Sequence, residues 1–378
     1  MARIETDFLV IGGGIAGLSS AHALAQRGAR VIVLERRVVG GAASGVNFGG
    51  LRINGRDPPE IALSLRAMQF WRELGRHLGH PCDVEFAGYL EAAQGPRQMD
   101  VLERWAKVAR EHGLAPVMLT AAQIRERYPY LNPSLIGGCL MPEDGNANPR
   151  LVCPYLALAA RRLGADIREN TAVAEIRHDG QRWRALAGTG EEFVARVVVN
   201  AAGAWAGKLA ASVGDEAPWT TIAPQLVASE PIPYFIKGTV DVEVGGRHFY
   251  ARQIPRGNVI FGRGPGTVDL DAERASFVLQ NAFNSSNIML GLIPSLRPYH
   301  MIRSWSGVEG KMPDSLPVLD VSPGKPGLIH AFGFSGHGFQ LGPGVGAVVA
   351  ELALTGRTET DITGFAFGRF AAKAAASA

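Results

Sequence analysis

Cysteine is scarce in this chain, and the little there is stands isolated. Cys82, Cys139 and Cys153 form no CxxC pair. That excludes a zinc ribbon or a self-contained iron–sulfur site, and no metal is expected. An odd, low cysteine count fits a reducing compartment, so a cytoplasmic location is expected. Also missing is any apolar run of about 18 residues, the length that a membrane-spanning helix needs. Met1 to Asp7 leads directly into a strand-like segment, without the charged, apolar and small-residue stretches of a leader. Neither sign of charge dominates. Thirty-eight Lys and Arg against 35 Asp and Glu leave +3, so no broad field recruits nucleic acid. No repeat of about 20–50 residues is visible.

Glycine is what the chain has in excess: 47 of 378 residues, with no collagen period. This suggests tight turns, or backbone pressed against a ligand. With 47% hydrophobic and 19% charged residues, the chain supports a large core rather than disorder. Only the Ala-rich end, Ala371 to Ala378, reads as frayed.

The first 35 residues are the most specific. Phe8-Leu9-Val10-Ile11 reads as a buried parallel strand, and Gly12, Gly14 and Gly17 follow in GxGxxG spacing. A helix is expected over Ile15 to Gln26 with Gly28 as its C-cap, then a second strand over Arg30 to Leu34 ending at Glu35. Each glycine has its own work. Gly12 makes the turn, Gly14 admits a pyrophosphate, and Gly17 lets the helix pack on the strand. The helix N-terminus faces the phosphates. Glu35 stands where an acid accepts hydrogen bonds from ribose hydroxyls and disfavours a 2′-phosphate. The motif does not separate FAD from NAD. No second GxGxxG lies between a strand and a helix, so one dinucleotide is expected.

Downstream, Gly40 to Arg52 is a small-residue loop suited to a flat or anionic surface. Helices are expected over Ala62 to Leu78, Val101 to His112, Leu151 to Leu163 and about Gly344 to Thr355. Strands are expected over Ala172 to Ile176, Phe193 to Asn200 and Leu328 to Phe332. The stretch from about Trp219 to Arg303 differs. Tyr234-Phe235, Arg247 to Arg252 and Asn258 to Gly262 read as antiparallel strands broken by Pro and Gly.

Four segments converge: DFLVIGGGIAGLSSAHALAQRG with Glu35, GGAASGVNFGG, VVVNAAGAWAG, and PDSLPVLD followed by GFSGHGFQLGPGVG. On these the chain resembles the FAD-dependent D-amino-acid oxidase, sarcosine oxidase and glycine oxidase (DAO) family over nearly its whole length. Within it, the chain looks closest to opine-oxidase or hydroxyproline-dehydrogenase-type β subunits. The resemblance implies an α/β (α+β overall) fold, with a Rossmann-like FAD-binding domain interrupted by a mixed, largely antiparallel substrate domain. The implied segments are 1–85, 145–215 and 325–378 for FAD, and 86–144 and 216–324 for substrate. It implies non-covalent FAD along Gly12, Gly14, Ile15, Ala16, Gly17, Glu35 and Arg36. Further implied contacts are Ala43, Ser44, Gly45, Asn47, Gly49, Gly50, Val173, Ala201, Gly203 and Trp205. Gly307, Gly336, His337, Gly338, Phe339 and Gln340 complete the set.

Departures from the family pattern are informative. Gly307 stands near the position where sarcosine oxidases link FAD through a cysteine. Gln340 replaces a lysine, and Glu309 replaces a carboxylate-binding arginine. Arg52, Tyr250 and Arg252 remain as candidate substrate anchors, with His337 beside flavin and Glu309 facing either a cationic substrate group or Arg303 or Lys311. The implied chemistry is oxidation of a small amino acid or secondary amine, with hydride passing to flavin N5 and the imine then hydrolysed. Electrons are expected to pass to a second subunit carrying an acceptor, at the inner membrane face if that subunit is held there. The alternatives are an oxidase producing hydrogen peroxide, an electron-relay or assembly subunit without a substrate site, and, more weakly, a hydroxy-acid or glycerol-phosphate flavoprotein.

Overall fold

The computed structural model describes residues 3–370; the Ala371–Ala378 end lies outside them. Two eight-stranded sheets organise the chain. The first is built on the strand Arg3–Ile11, whose last four residues are all buried. It pairs in parallel with Val31–Leu34 on one side and Glu192–Asn200 on the other. Asp166–Arg168 extends the sheet beyond Val31–Leu34, and Leu328–Phe332 extends it beyond Glu192–Asn200. An antiparallel arm of Val173–His178 and Trp183–Ala187 also joins Glu192–Asn200. Near-continuous Val, Ile and Leu runs are what a sheet covered on both faces requires.

Two helices cover one face in close contact. Ile15–Ala25 is buried along its whole length. It crosses Gly338–Thr355 where a Cβ on Gly346 would lie 2.4 Å from the Ser19 carbonyl carbon. Helix axes approach this closely only where side chains are absent.

The second sheet runs, from one edge to the other, Met301–Ser306, Pro224–Pro231, Asn258–Pro265, Arg247–Gln253, Thr239–Val244, Tyr89–Ala93, Gly137–Met141 and Val117–Thr120. All its pairings are antiparallel except Thr239–Val244 with Tyr89–Ala93. Its strands alternate with period 2. Leu90, Val240, Val242, Phe249 and Ala251 point into a hydrophobic core shared with Leu292 and Leu296.

Several expectations shift. The boundary at 324 falls one strand late, because Val318–Val321 pairs with Leu328–Phe332 in the first sheet. The helix expected over Ala62 to Leu78 is two helices, Pro58–Arg72 and Leu74–Leu78, broken at Glu73. The other helix starts move upstream, to Pro96 and Pro149, because proline suits the first helical turn. The last long helix begins at Gly338, six residues before Gly344, and so takes in the last three residues of the GFSGHGFQ segment. Tyr234-Phe235 is not a strand. The Gln253 side chain accepts from the Phe235 and Ile236 amides in place of a ladder. Among the described residues, no helix is long and apolar enough to cross a membrane.

Candidate functional site

A continuous cavity of about 580 Å³ runs from the C-terminal ends of the first sheet to the polar face of the second. At the first end the walls are mostly backbone. Gly12 has φ 111°, and a Cβ there would sit 2.3 Å from the Ala201 oxygen. Gly14 precedes the helix Ile15–Ala25, and Ser44 Oγ accepts from the Ile15 amide at 2.9 Å. One Glu35 oxygen accepts from the Gly13 amide at 2.7 Å and the other from Arg37 at 2.9 Å, at the end of Val31–Leu34. The Arg36 guanidinium lies 4.2 Å over the Trp205 ring and pairs with Glu273. These residues fit FAD. The glycine turn and helix N-terminus would hold its pyrophosphate, and Glu35 its ribose.

Every site residue expected from the sequence lines this cavity except Gly17, Gly45 and Arg252. Those three pack the walls from behind. A Cβ on Gly17 would lie 1.9 Å from the Gly12 oxygen, and one on Gly45 2.3 Å from the Gly40 oxygen. Arg252 is 6% exposed and lies 5.3 Å from the Phe48 ring centroid, behind the small-residue loop. Burial lowers its pKa to about 10. Asn47, though it lines the cavity, spends its side chain on that loop, accepting from the Gly49 amide at 2.7 Å and donating to Ala43 and Ser44. Gly307 lines the cavity where a Cβ would meet Val46 at 2.2 Å. Glu309 also lines it, opening the short strand Glu309–Lys311.

At the second end the walls are side chains. The cavity-facing positions of the second sheet carry Tyr89, Asp241, His248 and Tyr250. Glu91 stands beside Asp241 in parallel register, and Tyr250 stands opposite it. Tyr250 packs on Phe48 with ring centroids 4.4 Å apart. The Tyr89 hydroxyl donates to Asp241 Oδ2 at 2.5 Å. Burial and the Asp241 charge hold the Tyr89 phenol well above its usual range. Burial and the same neighbouring carboxylate raise the Glu91 pKa. The Asp241 carboxylate, 3.3 Å from Nδ1, raises that of His248.

Arg52 donates to the Asn54 carbonyl and lies 5.7 Å from the Tyr89 ring centroid. Its loop is pinned by Asp144, which accepts from the Ile53 and Asn54 amides, both at 2.9 Å. Burial pushes the Asp144 carboxyl up to about 7.

Behind them lies a second buried network. Glu60 is fully buried, with Nδ1 of His337 at 2.8 Å and Nη1 of Arg56 at 3.7 Å. Burial opposes ionisation of Glu60, yet Arg56 and His337 together keep its carboxyl below the usual range. Burial, aided by Arg56, lowers the His337 pKa to about 4. At neutral pH this combination is a neutral imidazole whose Nδ1–H donates to a carboxylate, leaving Nε2 as an acceptor. Arg56 also donates to Gln340 at 3.4 Å, and Gln340 donates to the Ser64 carbonyl at 3.0 Å.

Sequence reasoning missed Arg56, Glu60, Tyr89, Glu91, Asp241 and His248. For four of them a signal exists. Tyr89, Glu91, Asp241 and His248 alternate with apolar Leu90, Ala92, Val240, Val242 and Phe249, the pattern of a sheet with one polar face.

Comparison with known proteins agrees with this geometry. The family described as FAD dependent oxidoreductase (DAO) matches residues 7–352. The chain is 28% identical to glycine oxidase of Geobacillus kaustophilus (strain HTA426), over 97% of this chain and 98% of that one. It is 29% identical to an opine oxidase subunit of Rhizobium meliloti, over 98% and 99%. The crystal structure of L-proline dehydrogenase from P. horikoshii superposes with a TM-score of 0.91 at 28% identity, covering 98% of this chain and 99% of that one. With the family matched across both sheets and a cavity built for the dinucleotide, the chain belongs to the DAO family of FAD-dependent oxidoreductases.

Proposed function

We propose that the protein oxidises the carbon–nitrogen bond of a small amino acid or secondary amine acid, as a dehydrogenase subunit. The observation that carries this reading is the continuity of the cavity. The dinucleotide cradle opens directly onto half-buried Arg52, Tyr250 and His337. An electron-relay or assembly subunit has no need of such a polar floor. When bound, FAD supplies the hydride acceptor for the substrate α-carbon. Arg52 and Arg56 give the positive field that holds a substrate carboxylate. Tyr250, backed by Phe48, closes the cavity wall beside it. His337, kept neutral and oriented by Glu60, presents Nε2 as an acceptor for the amine N–H. It favours the unprotonated amine, the form from which hydride can leave. The imine product is hydrolysed by water.

Likeness to a protein named as a subunit supports assembly with a partner, and likeness to a structure named as a dehydrogenase supports an electron acceptor other than oxygen. All three cysteines are buried and none lines the cavity, which supports FAD held without a covalent bond. Anaerobic bleaching of the bound flavin by amino acids and secondary amine acids, but not by hydroxy acids or NADH, is the expected result. Acid precipitation should release the flavin into the supernatant. Dye reduction should outrun peroxide formation at saturating substrate. A flavin that no amine bleaches overturns the reading, and equal peroxide and dye turnover makes the protein an oxidase.

A further inference from the structure

Asp241 has an oxygen that amine oxidation alone leaves unused. The residue is 2% exposed and sits in the polar floor of the cavity. Its Oδ2 is engaged by Tyr89 and approached by His248, but its Oδ1 is buried with no hydrogen-bond partner among the described residues. Leaving a buried polar atom unsatisfied is costly, and more so for a charged group. A native structure keeps such an atom where something else completes it.

The surroundings specify what completes it. Glu91 lies directly beside Asp241 across the parallel pairing, behind the residues that line the cavity, and adds a second carboxylate to this region. Arg52, the nearby cation, donates to the Asn54 carbonyl, and among the described residues no ion pair links it to either carboxylate. His248 Nδ1 lies 3.3 Å from Asp241 Oδ2 and 3.7 Å from Glu91 Oε1, and does not meet the unpartnered oxygen. Opposite in sign, Arg56 Nη1 is likewise buried without a hydrogen bond, 3.7 Å from Glu60. The cavity thus presents an unsatisfied anionic acceptor and an unsatisfied cationic donor.

Resting on the amine-oxidation reading, we propose that Asp241, with Glu91 beside it, is a subsite for a second, cationic group of the substrate, a guanidinium or ammonium on a side chain. The amine being oxidised does not suit this place. It must shed its proton before hydride leaves, and a buried carboxylate against it would hold it as ammonium. A charge carried elsewhere in the substrate has no such conflict. A guanidinium fits best, because its planar fork offers Asp241 several donors at once, with the Glu91 charge behind it. The substrate class is therefore a dipolar amino acid or secondary amine acid, with its carboxylate toward Arg52 and Arg56 and its distal cation toward Asp241.

The test uses the FAD-loaded full chain and two readouts, calorimetric binding and anaerobic flavin bleaching. The probes are arginine, citrulline and their N-carboxymethyl derivatives, each as both enantiomers. Citrulline keeps the shape of arginine and lacks the charge. At least one arginine compound should bind about 10- to 100-fold more tightly than its citrulline counterpart, the range of a charge-assisted hydrogen bond. Asp241→Asn should remove most of that preference while changing citrulline binding by less than about threefold. Glu91→Gln should weaken the preference by a smaller factor. Should Asp241→Asn not fold, the wild-type comparison and Glu91→Gln carry the test. Equal binding of arginine and citrulline, binding of neither, or a preference that survives Asp241→Asn overturns the subsite. The two readings fail separately. Preferred arginine binding with no amine bleaching the flavin rejects amine oxidation and keeps the subsite. Bleaching by neutral amine acids with no arginine preference does the reverse.

Discussion

The two ends of the cavity recognise their ligands by opposite means. The dinucleotide end is made of backbone: Gly12, Gly14 and Ala201, with Glu35 as its inner carboxylate and ion pairs such as Arg36–Glu273 at a half-buried rim. The end proposed for substrate is made of side chains: Arg52, Arg56, Asp241 and His337 line it, with the Glu60 carboxylate fully buried behind them. The difference follows from what each must bind. A pyrophosphate is the same in every ligand of its class, and amides converging from a turn and a helix serve it without side chains. A substrate must be told from its relatives, which takes side chains that are costly when left unmatched. The first end should therefore be intolerant of added volume and tolerant of lost rim charge. The second should show the reverse.

The largest effect is expected at Gly17. Gly17→Ala would place a Cβ 1.9 Å from the Gly12 oxygen, a backbone atom that cannot yield without opening the turn. Loss of bound flavin is expected, with destabilisation of at least about 3 kcal/mol, at the upper end for overpacking. Flavin content and the thermal midpoint check it. A stable, yellow variant breaks the comparison at this end.

A middle effect is expected from protonation of His337. The imidazole takes up a proton near pH 6.5 in the unfolded chain but only near pH 4 when folded. Between those values the unfolded state binds more protons, so this group's contribution to stability falls as pH drops across the window. The full change is about 3 kcal/mol, at roughly 1.4 kcal/mol per pH unit. Asp144 acts in the opposite direction, since it holds its proton up to about pH 7 when folded. The quantity to measure is therefore the difference between wild type and His337→Gln in denaturant unfolding. That difference should move against the wild type by about 3 kcal/mol from pH 7 to pH 4. A pH-independent difference means that the buried pair with Glu60 does not exist as described.

The smallest effect is expected at the rim. Glu273 pairs with Arg36 and Arg37, and its side chain is 31% exposed. Glu273→Gln should weaken FAD retention by about two- to fivefold, the worth of an exposed pair, and the loss should shrink with added salt. Flavin fluorescence recovery on dilution measures it. A loss of 100-fold or more would show that rim charge, not backbone, holds the cofactor.

How much is legible in the sequence depends on distance along the chain. Gly12, Gly14 and Gly17 signal through spacing within a few residues, and Glu35 ends the very next strand. Three helices begin at Pro58, Pro96 and Pro149, upstream of where apolar periodicity places them, because proline at the first turn opens a helix rather than bounding it. Arg252 reads as a substrate anchor because it shares a strand and a face with Tyr250. Two residues along that strand, the face passes from cavity to wall, and sequence alternation cannot mark that border.

The sequence by itself determined the nucleotide-binding unit, since its turn, helix and acid are local and each residue type has a single use at its position. Only the tertiary structure decided the charge network. Glu60 meets His337 across 277 residues, and Tyr89 meets Asp241 across 152. No pattern in the chain announces which carboxylate a buried histidine will meet. Nor does any pattern announce which carboxylate oxygen will be left without a donor. Those outcomes depend on how two sheets and a helix N-terminus close around one cavity, where water is excluded and each unpaired charge becomes expensive.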